Sequence, residues 1–191
     1  METPLVSGSV FRNPDPNTVE LQQLSVEQQK RITLYNRAVT LALKELGWEN
    51  SPPTMFFSDS LVINGMPRAG GTTQTSQYFQ EGPHLFFDIG TEIAEKAFAG
   101  ASIQGMRRFG LTDDQIRTIA AISTAVEETF HWVELMQGVS MPNSPHGLLP
   151  GYTKEQYCDQ PHERRAYEFQ LQMLNRHLLE LTGIEGLFIK G

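Results

Sequence analysis

The middle of the chain, residues 54–90, has a different pattern from the two flanks that enclose it. Three apolar runs, at 54–57, 61–63 and 84–89, have the composition of short strands. The flanks instead carry apolar residues at helical spacing, preceded by helix start signals. A sheet covered by helices buries the apolar faces of both kinds of element. The sequence therefore predicts an α+β fold whose sheet is confined to residues 54–90.

Two helices can be bounded from their capping signals. The first should begin after Ser25, because Ser25 and Gln28 have the spacing of a capping box, and it should end before Gly47. The second should begin after Thr112, which is followed by two acids and then a glutamine at the third helical position. Its periodicity continues to about residue 137. Local hydrogen bonding thus predicts both helix starts.

The two ends of the chain have different characters. Asp159 is predicted to cap a last helix that tolerates Pro161 in its first turn and runs to about residue 181. Residues 1–24 contain three prolines and little periodicity, which predicts an arm on the surface. No linker divides the remainder. The predicted organisation is therefore an N-terminal arm, 1–24, and one domain, 25–191.

Residues 64–82 are rich in Gly, Thr, Ser and Gln. This composition is typical of a long hairpin loop or of weakly apolar strands. A functional alternative is a flexible lip over a cleft. Gly70 and Gly71 do not form a phosphate-binding loop, because no Lys-Ser/Thr pair and no helix start follow them.

The net charge, the cysteine count and the lack of long apolar runs indicate which partners and which cell compartment to expect. The 191-residue chain has a net charge of −7, which argues against nucleic acid as the main partner, since phosphate binding needs a basic surface. It has one cysteine, so no disulfide can form within it. No signal peptide and no apolar run of membrane-spanning length are evident. We therefore expect a cytoplasmic protein that binds neither nucleic acid nor membrane.

The residues that carry chemistry lie near the end of the second helix. Glu127 and His131 are four residues apart, so a helix places them on one face, where a carboxylate and an imidazole can hold one metal ion. Glu128 projects about 100° further round the helix, where it could activate a water molecule. Glu127 also lies beside the apolar stripe of this helix. A buried carboxylate needs a partner, a proton or a metal.

The last helix also has an acid on its apolar side. Glu163 lies within the arc of its core-facing residues, which are Tyr167, Leu171, Leu174, Leu178 and Leu181. Arg164 and Arg165 fall outside this arc. Glu127, His131 and Glu163 would supply three protein ligands and leave a fourth position open, which is the usual design of a catalytic zinc site. The predicted cofactor is one divalent metal ion, with zinc favoured.

The order of elements and two motifs resemble the minimal zincin-type metallopeptidases. The active helix of that family carries His-Glu-x-x-His, and residues 127–131 of this chain read Glu-Glu-Thr-Phe-His. Residues 157–167 are similar to the downstream Tyr-x-x-x-Pro-x-Glu-x-x-Ala pattern of many small members. The resemblance covers roughly residues 25–181 in architecture and about twenty residues in motif.

This resemblance implies a fold, an activity and a set of roles. The fold would have an N-terminal helix, a small, mostly antiparallel twisted sheet, an active-site helix and a C-terminal helix. The activity would be metal-dependent hydrolysis of a peptide or small amide substrate. The resemblance implies Glu128 as the general base, His131 and Glu163 as metal ligands, and 84–89 as the strand that edges the cleft. It makes Tyr157 a candidate for orienting a substrate or an oxyanion.

The chain departs from the family at Glu127, where the zincins have histidine. Two carboxylates and one imidazole form a harder, more negative donor set, which makes manganese or iron more competitive with zinc. Among the other histidines, His162 is the best substitute ligand because it neighbours Glu163.

Two other functions fit the same residues. One is a non-catalytic binding or structural protein on a degenerate zincin scaffold, in which Glu127 has ended catalysis. The other is a helical di-metal carboxylate protein that uses Glu128-x-x-His131 with Glu92, Glu95 and Glu163. That fold expects two Glu-x-x-His motifs, and this sequence has one.

Overall fold

A computed structural model of the chain describes residues 6–7, 10–12, 24–63, 66–73, 83–90, 110–139, 156 and 159–183. Within these residues there are three helices and seven strands. The helices are α1 (Val26–Leu46), α2 (Asp113–Met136) and α3 (Pro161–Thr182). The strands are β1 (Val6–Ser7), β2 (Val10–Arg12), β3 (Met55–Ser58), β4 (Val62–Ile63), β5 (Met66–Pro67), β6 (Gly70–Thr73) and β7 (His84–Asp88). The predicted α+β class is confirmed.

The first two helices begin where their capping residues predicted. Both capping boxes form, at Ser25 before α1 and at Thr112 before α2. Gly47 ends α1 with a φ of 74°, a left-handed conformation that glycine adopts without steric cost. The predicted cap of α3 is wrong by one residue. Gln160 occupies the N-cap position without a side-chain bond, and the fixed φ of Pro161 suits the first helical position.

The strands form two small sheets. The three-stranded sheet has the order β1-β4-β5, and the four-stranded sheet has the order β2-β3-β7-β6. Four of the five described pairings are antiparallel, and β3 and β7 pair in parallel. The described strands are therefore mostly antiparallel around one parallel pair.

The N-terminal arm contributes to both sheets. Val6 and Ser7 pair with β4, and residues 10–12 pair with β3. The prediction that the sheet is confined to residues 54–90 is therefore wrong. Strands of two and three residues are too short to show a period-2 pattern, and backbone hydrogen bonds to an open edge hold them whatever their side chains.

The family resemblance implied 84–89 as the strand that edges the cleft, but this strand, β7, is not at an edge of the described sheet. β7 lies between β3 and β6, and all five of its residues are buried. The expectation for 84–89 is wrong because a continuous apolar run is typical of an interior strand. β6 is the edge strand on this side of the described sheet. It lies in the segment 64–82, which thus contains weakly apolar strands, while residues 74–82 lie outside the described part.

The core joins α1 and α2 to the inner strands. Tyr35 of α1 stacks on Phe87 of β7 with ring centroids 4.5 Å apart, and its hydroxyl donates to the carbonyl of Asp88 at 2.8 Å. The Asp88 carboxylate accepts the backbone N–H groups of Leu61 and Gly90. These contacts fix β7 and the chain that follows it relative to α1.

The last helix, α3, packs against α2. Phe130 and Phe169 bring the two helices together with ring centroids 5.2 Å apart. On α1, Glu45 accepts from Arg176 and lies 3.1 Å from Nε2 of His177, so α3 is also bound to the first helix. Among the helices that the structure describes, none combines the length and apolar composition that a bilayer span requires.

Candidate metal centre

Glu127, His131 and Glu163 converge on one point between α2 and α3. Each offers a ligand atom, and these atoms all lie within 4.8 Å of one another. Nε2 of His131 is 3.6 Å from Oε2 of Glu163. His131 and Glu163 are buried, and Glu127 is half-buried. The structure thus brings together the three residues that the sequence pattern singled out, and their role as ligands stays a prediction.

The convergence follows from local structure. Residues 127 and 131 lie one turn apart on the face of α2 that meets α3. Glu163 is in the first turn of α3, where an acid is favoured by the helix dipole. The start of α3 is further held against α2 by Arg165, whose Nε donates to Oε1 of Glu134 at 2.7 Å.

Glu128 contacts the edge strand. The hydroxyl of Thr72 in β6 lies 2.8 Å from both the backbone carbonyl oxygen and Oε2 of Glu128. This contact fixes the carboxylate beside the three converging residues. Glu128 therefore has a different environment from its neighbour Glu127, as the helical spacing predicted.

Glycine allows β6 to approach α2 closely. A Cβ atom on Gly70 would lie 2.6 Å from Cγ2 of Thr124, nearer than Cβ atoms are found in proteins. A side chain at this position would therefore force a shift of the strand or of Thr124. The predicted flexible lip is, over residues 70–73, a strand seated on the helix.

Burial and like charge raise the proton affinity of these acids. Burial raises the pKa of Glu127 to about 8, and the nearby charge of Glu128 adds to the effect, while His131 opposes it. Burial also raises the pKa of Glu128, against the lowering effects of His131 and of the Thr72 hydrogen bond. The carboxylates of Glu127, Glu128 and Glu163 share a largely buried space with the imidazole of His131. One imidazolium cannot balance three carboxylate charges, so the acids hold their protons more firmly.

Burial and the neighbouring charges have opposite effects on the pKa of the His131 imidazole. Burial by itself lowers the pKa of His131, but the hydrogen bond with Glu163 and the charges of Glu128 and Glu163 outweigh it and raise that pKa to about 9. In the metal-free protein, His131 thus serves as the local cation. A divalent ion would replace its proton and neutralise the acids more fully.

The donor set fits a divalent ion. Ligands that share a tetrahedral ion at about 2.1 Å lie about 3.4 Å from one another. The 3.6 Å separation of His131 and Glu163 is already close to this value, and the 4.8 Å limit for the group needs only side-chain adjustments. One imidazole and two carboxylates suit zinc, and they also suit manganese or iron.

Two further buried residues, Glu134 and His162, lie beside the site. The sequence pattern predicted no role for Glu134 and a different role for His162. Glu134 is 6% exposed, with Oε2 4.0 Å from Nδ1 of His131. Its position, three residues after His131 and seven after Glu127, was a helical signal that could have found it. His162, predicted as a substitute ligand, instead has Nε2 3.3 Å from Oε1 of Glu163, outside the converging group.

Three other candidates cannot be compared with this site. Tyr157, the candidate for orienting a substrate or an oxyanion, is outside the described residues, as are Glu92 and Glu95 of the di-metal alternative. Comparison with known proteins finds no matching family model and no match among curated proteins or solved structures.

Proposed function

We propose that the protein is a zincin-like, metal-dependent hydrolase of peptide or amide bonds. Glu127, His131 and Glu163 would hold one divalent ion, zinc in the first place, and Glu128 would act as the general base. The observation that carries the proposal is the convergence of these three side chains from two helices, with Glu128 fixed beside them by Thr72. The described α+β architecture supports the zincin-like assignment, since from residue 25 onward a helix, short strands and two further helices follow in the expected order.

The bound ion would supply Lewis acidity to the carbonyl group under attack and to the attacking water. Glu128 would take a proton from that water and give it to the leaving amine. Its carboxylate suits this task because burial raises its pKa toward the working range of a general base. The hydroxyl of Thr72 keeps the carboxylate oriented between the strand and the ligand group.

The edge strand β6 would bind an extended substrate. It is the last strand on its side of the described four-stranded sheet and lies directly beside α2. An extended peptide can add to such an edge through main-chain hydrogen bonds. Glu128 would then face the peptide bond next to the strand position of Thr72.

The experiment separates metal binding from hydrolysis. Protein purified without added metal is analysed for its metal content, and a peptide library is then incubated with zinc-, manganese- and iron-loaded protein. We expect a bound divalent ion and cleavage that Glu128→Gln abolishes without loss of the ion, because the amide cannot accept the proton. Glu168→Gln, an exposed exchange on α3, is the matched control.

The second candidate is a non-catalytic scaffold, favoured by Glu127 in the position of a family histidine. A retained metal ion with no cleavage of any peptide would support it. Absence of any bound divalent ion in the wild type would overturn the metal site itself. The helical di-metal alternative is less compatible, because seven described strands have no place in a helix bundle.

A further inference from the structure

We propose that Glu134 is a positioning residue that orients the imidazole of His131 for metal binding and is itself held by Arg165. The inference rests on the metal site of the proposed function, but it does not depend on hydrolysis. It assigns a task to a buried carboxylate that lies outside the group of three ligands.

The geometry places a donor and an acceptor opposite each other. Nδ1 of His131 and Oε2 of Glu134 are 4.0 Å apart, and both residues are 6% exposed. Within the described part of the chain, neither of these two buried atoms has a hydrogen-bond partner. Each therefore lacks a bond that the other could supply.

The two nitrogens of His131 face different groups. Nε2 faces Glu163 at 3.6 Å, so it is the nitrogen available to an ion shared with Glu127 and Glu163. An imidazole that binds through Nε2 carries its proton on Nδ1. A metal-bound histidine commonly donates that proton to a carboxylate or a carbonyl, which fixes the ring orientation. Glu134 provides this carboxylate.

Arg165 restrains the carboxylate from the other helix. Its Nε donates to Oε1 of Glu134 at 2.7 Å, which leaves Oε2 on the side of His131. Closing the 4.0 Å gap to hydrogen-bond length needs a movement of about 1 Å, within the reach of a small side-chain rotation. The chain of contacts runs from Arg165 through Glu134 to His131, and it couples the start of α3 to a ligand on α2.

A purely structural role would make different predictions. If Glu134 only joins α2 to α3 through Arg165, then Glu134→Ala and Arg165→Met should have similar effects on stability and on zinc affinity. If Glu134 positions His131, Glu134→Ala should weaken zinc binding about 10- to 100-fold. Arg165→Met keeps the Glu134 carboxylate but removes its restraint, so it should weaken zinc binding at least fivefold less than Glu134→Ala does.

The test uses the full chain and zinc alone. Zinc affinity is measured by competition with a chromophoric chelator for the wild type, Glu134→Ala, Glu134→Gln and Arg165→Met. Glu134→Gln keeps the size and an acceptor oxygen, so its affinity should lie between those of the wild type and Glu134→Ala. If Glu134→Ala does not fold, the zinc affinity of Glu134→Gln alone tests the proposal. In ¹⁵N spectra of the zinc-loaded protein, the Nδ1–H signal of His131 should be protected from exchange with water in the wild type and less so in both Glu134 variants.

The outcomes separate the two proposals. Wild-type zinc affinity and unchanged Nδ1–H protection in the Glu134 variants would overturn the positioning role and leave the hydrolase proposal standing. Zinc binding that depends on Glu134 without any peptide cleavage would support the positioning role and count against the hydrolase. A wild type that binds no zinc would overturn the positioning role together with the metal site.

Discussion

The hydroxyl of Thr72 is 2.8 Å from Oε2 of Glu128, so an edge strand holds the proposed general base through one hydrogen bond. Thr72→Val keeps the shape of the side chain and removes this bond. We expect kcat to fall by about tenfold, because a less restrained base spends less time in the reactive geometry.

Steady-state kinetics and metal content check the Thr72 prediction together. Thr118→Val is the control, since the Thr118 hydroxyl donates to the Asp114 carbonyl of its own helix. Metal content should stay at the wild-type level in both variants. A Thr72→Val protein with unchanged kcat would show that the strand does not position Glu128.

The metal-free protein should lose stability as the pH rises. Glu127 and His131 have folded-state pKa values raised to about 8 and about 9, from ordinary values of 4.5 and 6.5. Both side chains therefore hold their protons more firmly in the folded state than in the unfolded state. The stability from Glu127 is lost as the pH rises from 4.5 to 8, and that from His131 as it rises from 6.5 to 9. With chelator present, the melting temperature should fall between pH 5 and pH 9 on this account.

Calorimetry of Glu127→Gln checks the pH prediction. The variant has no carboxylate to titrate at this position, so its melting temperature should fall less steeply over the same range. Excess zinc should reduce or reverse the slope of the wild type, because metal binding displaces the protons. Identical slopes for the wild type and Glu127→Gln would contradict the electrostatic account of the site.

Replacing Glu127 by histidine should strengthen zinc binding. The imidazole reaches about as far from the helix and suits zinc well, and the exchange removes one of several crowded negative charges. We expect at least a tenfold gain in affinity, measured by competition with a chelator. Glu128→Gln should leave the affinity nearly unchanged, because Glu128 is not among the proposed ligands. A Glu127→His protein without any gain would mean that this position does not ligate zinc.

Gly70→Ala should destabilise the contact between β6 and α2. The new Cβ would lie 2.6 Å from Cγ2 of Thr124, and such overpacking costs about 1–3 kcal/mol. Thr124→Ser removes that methyl group, so adding it to Gly70→Ala should recover part of the loss. Chemical denaturation of the wild type, both single variants and the double variant measures this coupling. Simple additivity of the two changes would argue against the close contact.

The starts of α1 and α2 were predictable because their causes are local. The capping boxes at Ser25 and Thr112 each use side chains three residues apart, so the sequence contains the whole hydrogen-bonded unit. The burial of Glu163 was predictable for a similar reason, since its position in the helical period aligns it with the core side of α3. Patterns with a fixed period reveal which face a residue occupies.

Contacts between distant segments were harder to predict. The pairing of residues 10–12 with β3 depends on backbone hydrogen bonds, which no side-chain pattern encodes. β6 carries two glycines and two threonines, so its place beside α2 has no apolar signature. Glu134 had no predicted role, and its hydrogen bond with Arg165 joins α2 to α3. These features require knowledge of which elements are neighbours.

The ligand group draws on two helices, and a bound ion would therefore cross-link the chain. Glu127 and His131 belong to α2, whereas Glu163 opens α3. Removal of the ion should loosen the first turn of α3 and make the C-terminal helix an early target for proteases. Limited proteolysis with and without chelator would then report metal occupancy through the length of the surviving fragment, even for a protein whose substrate has not been found.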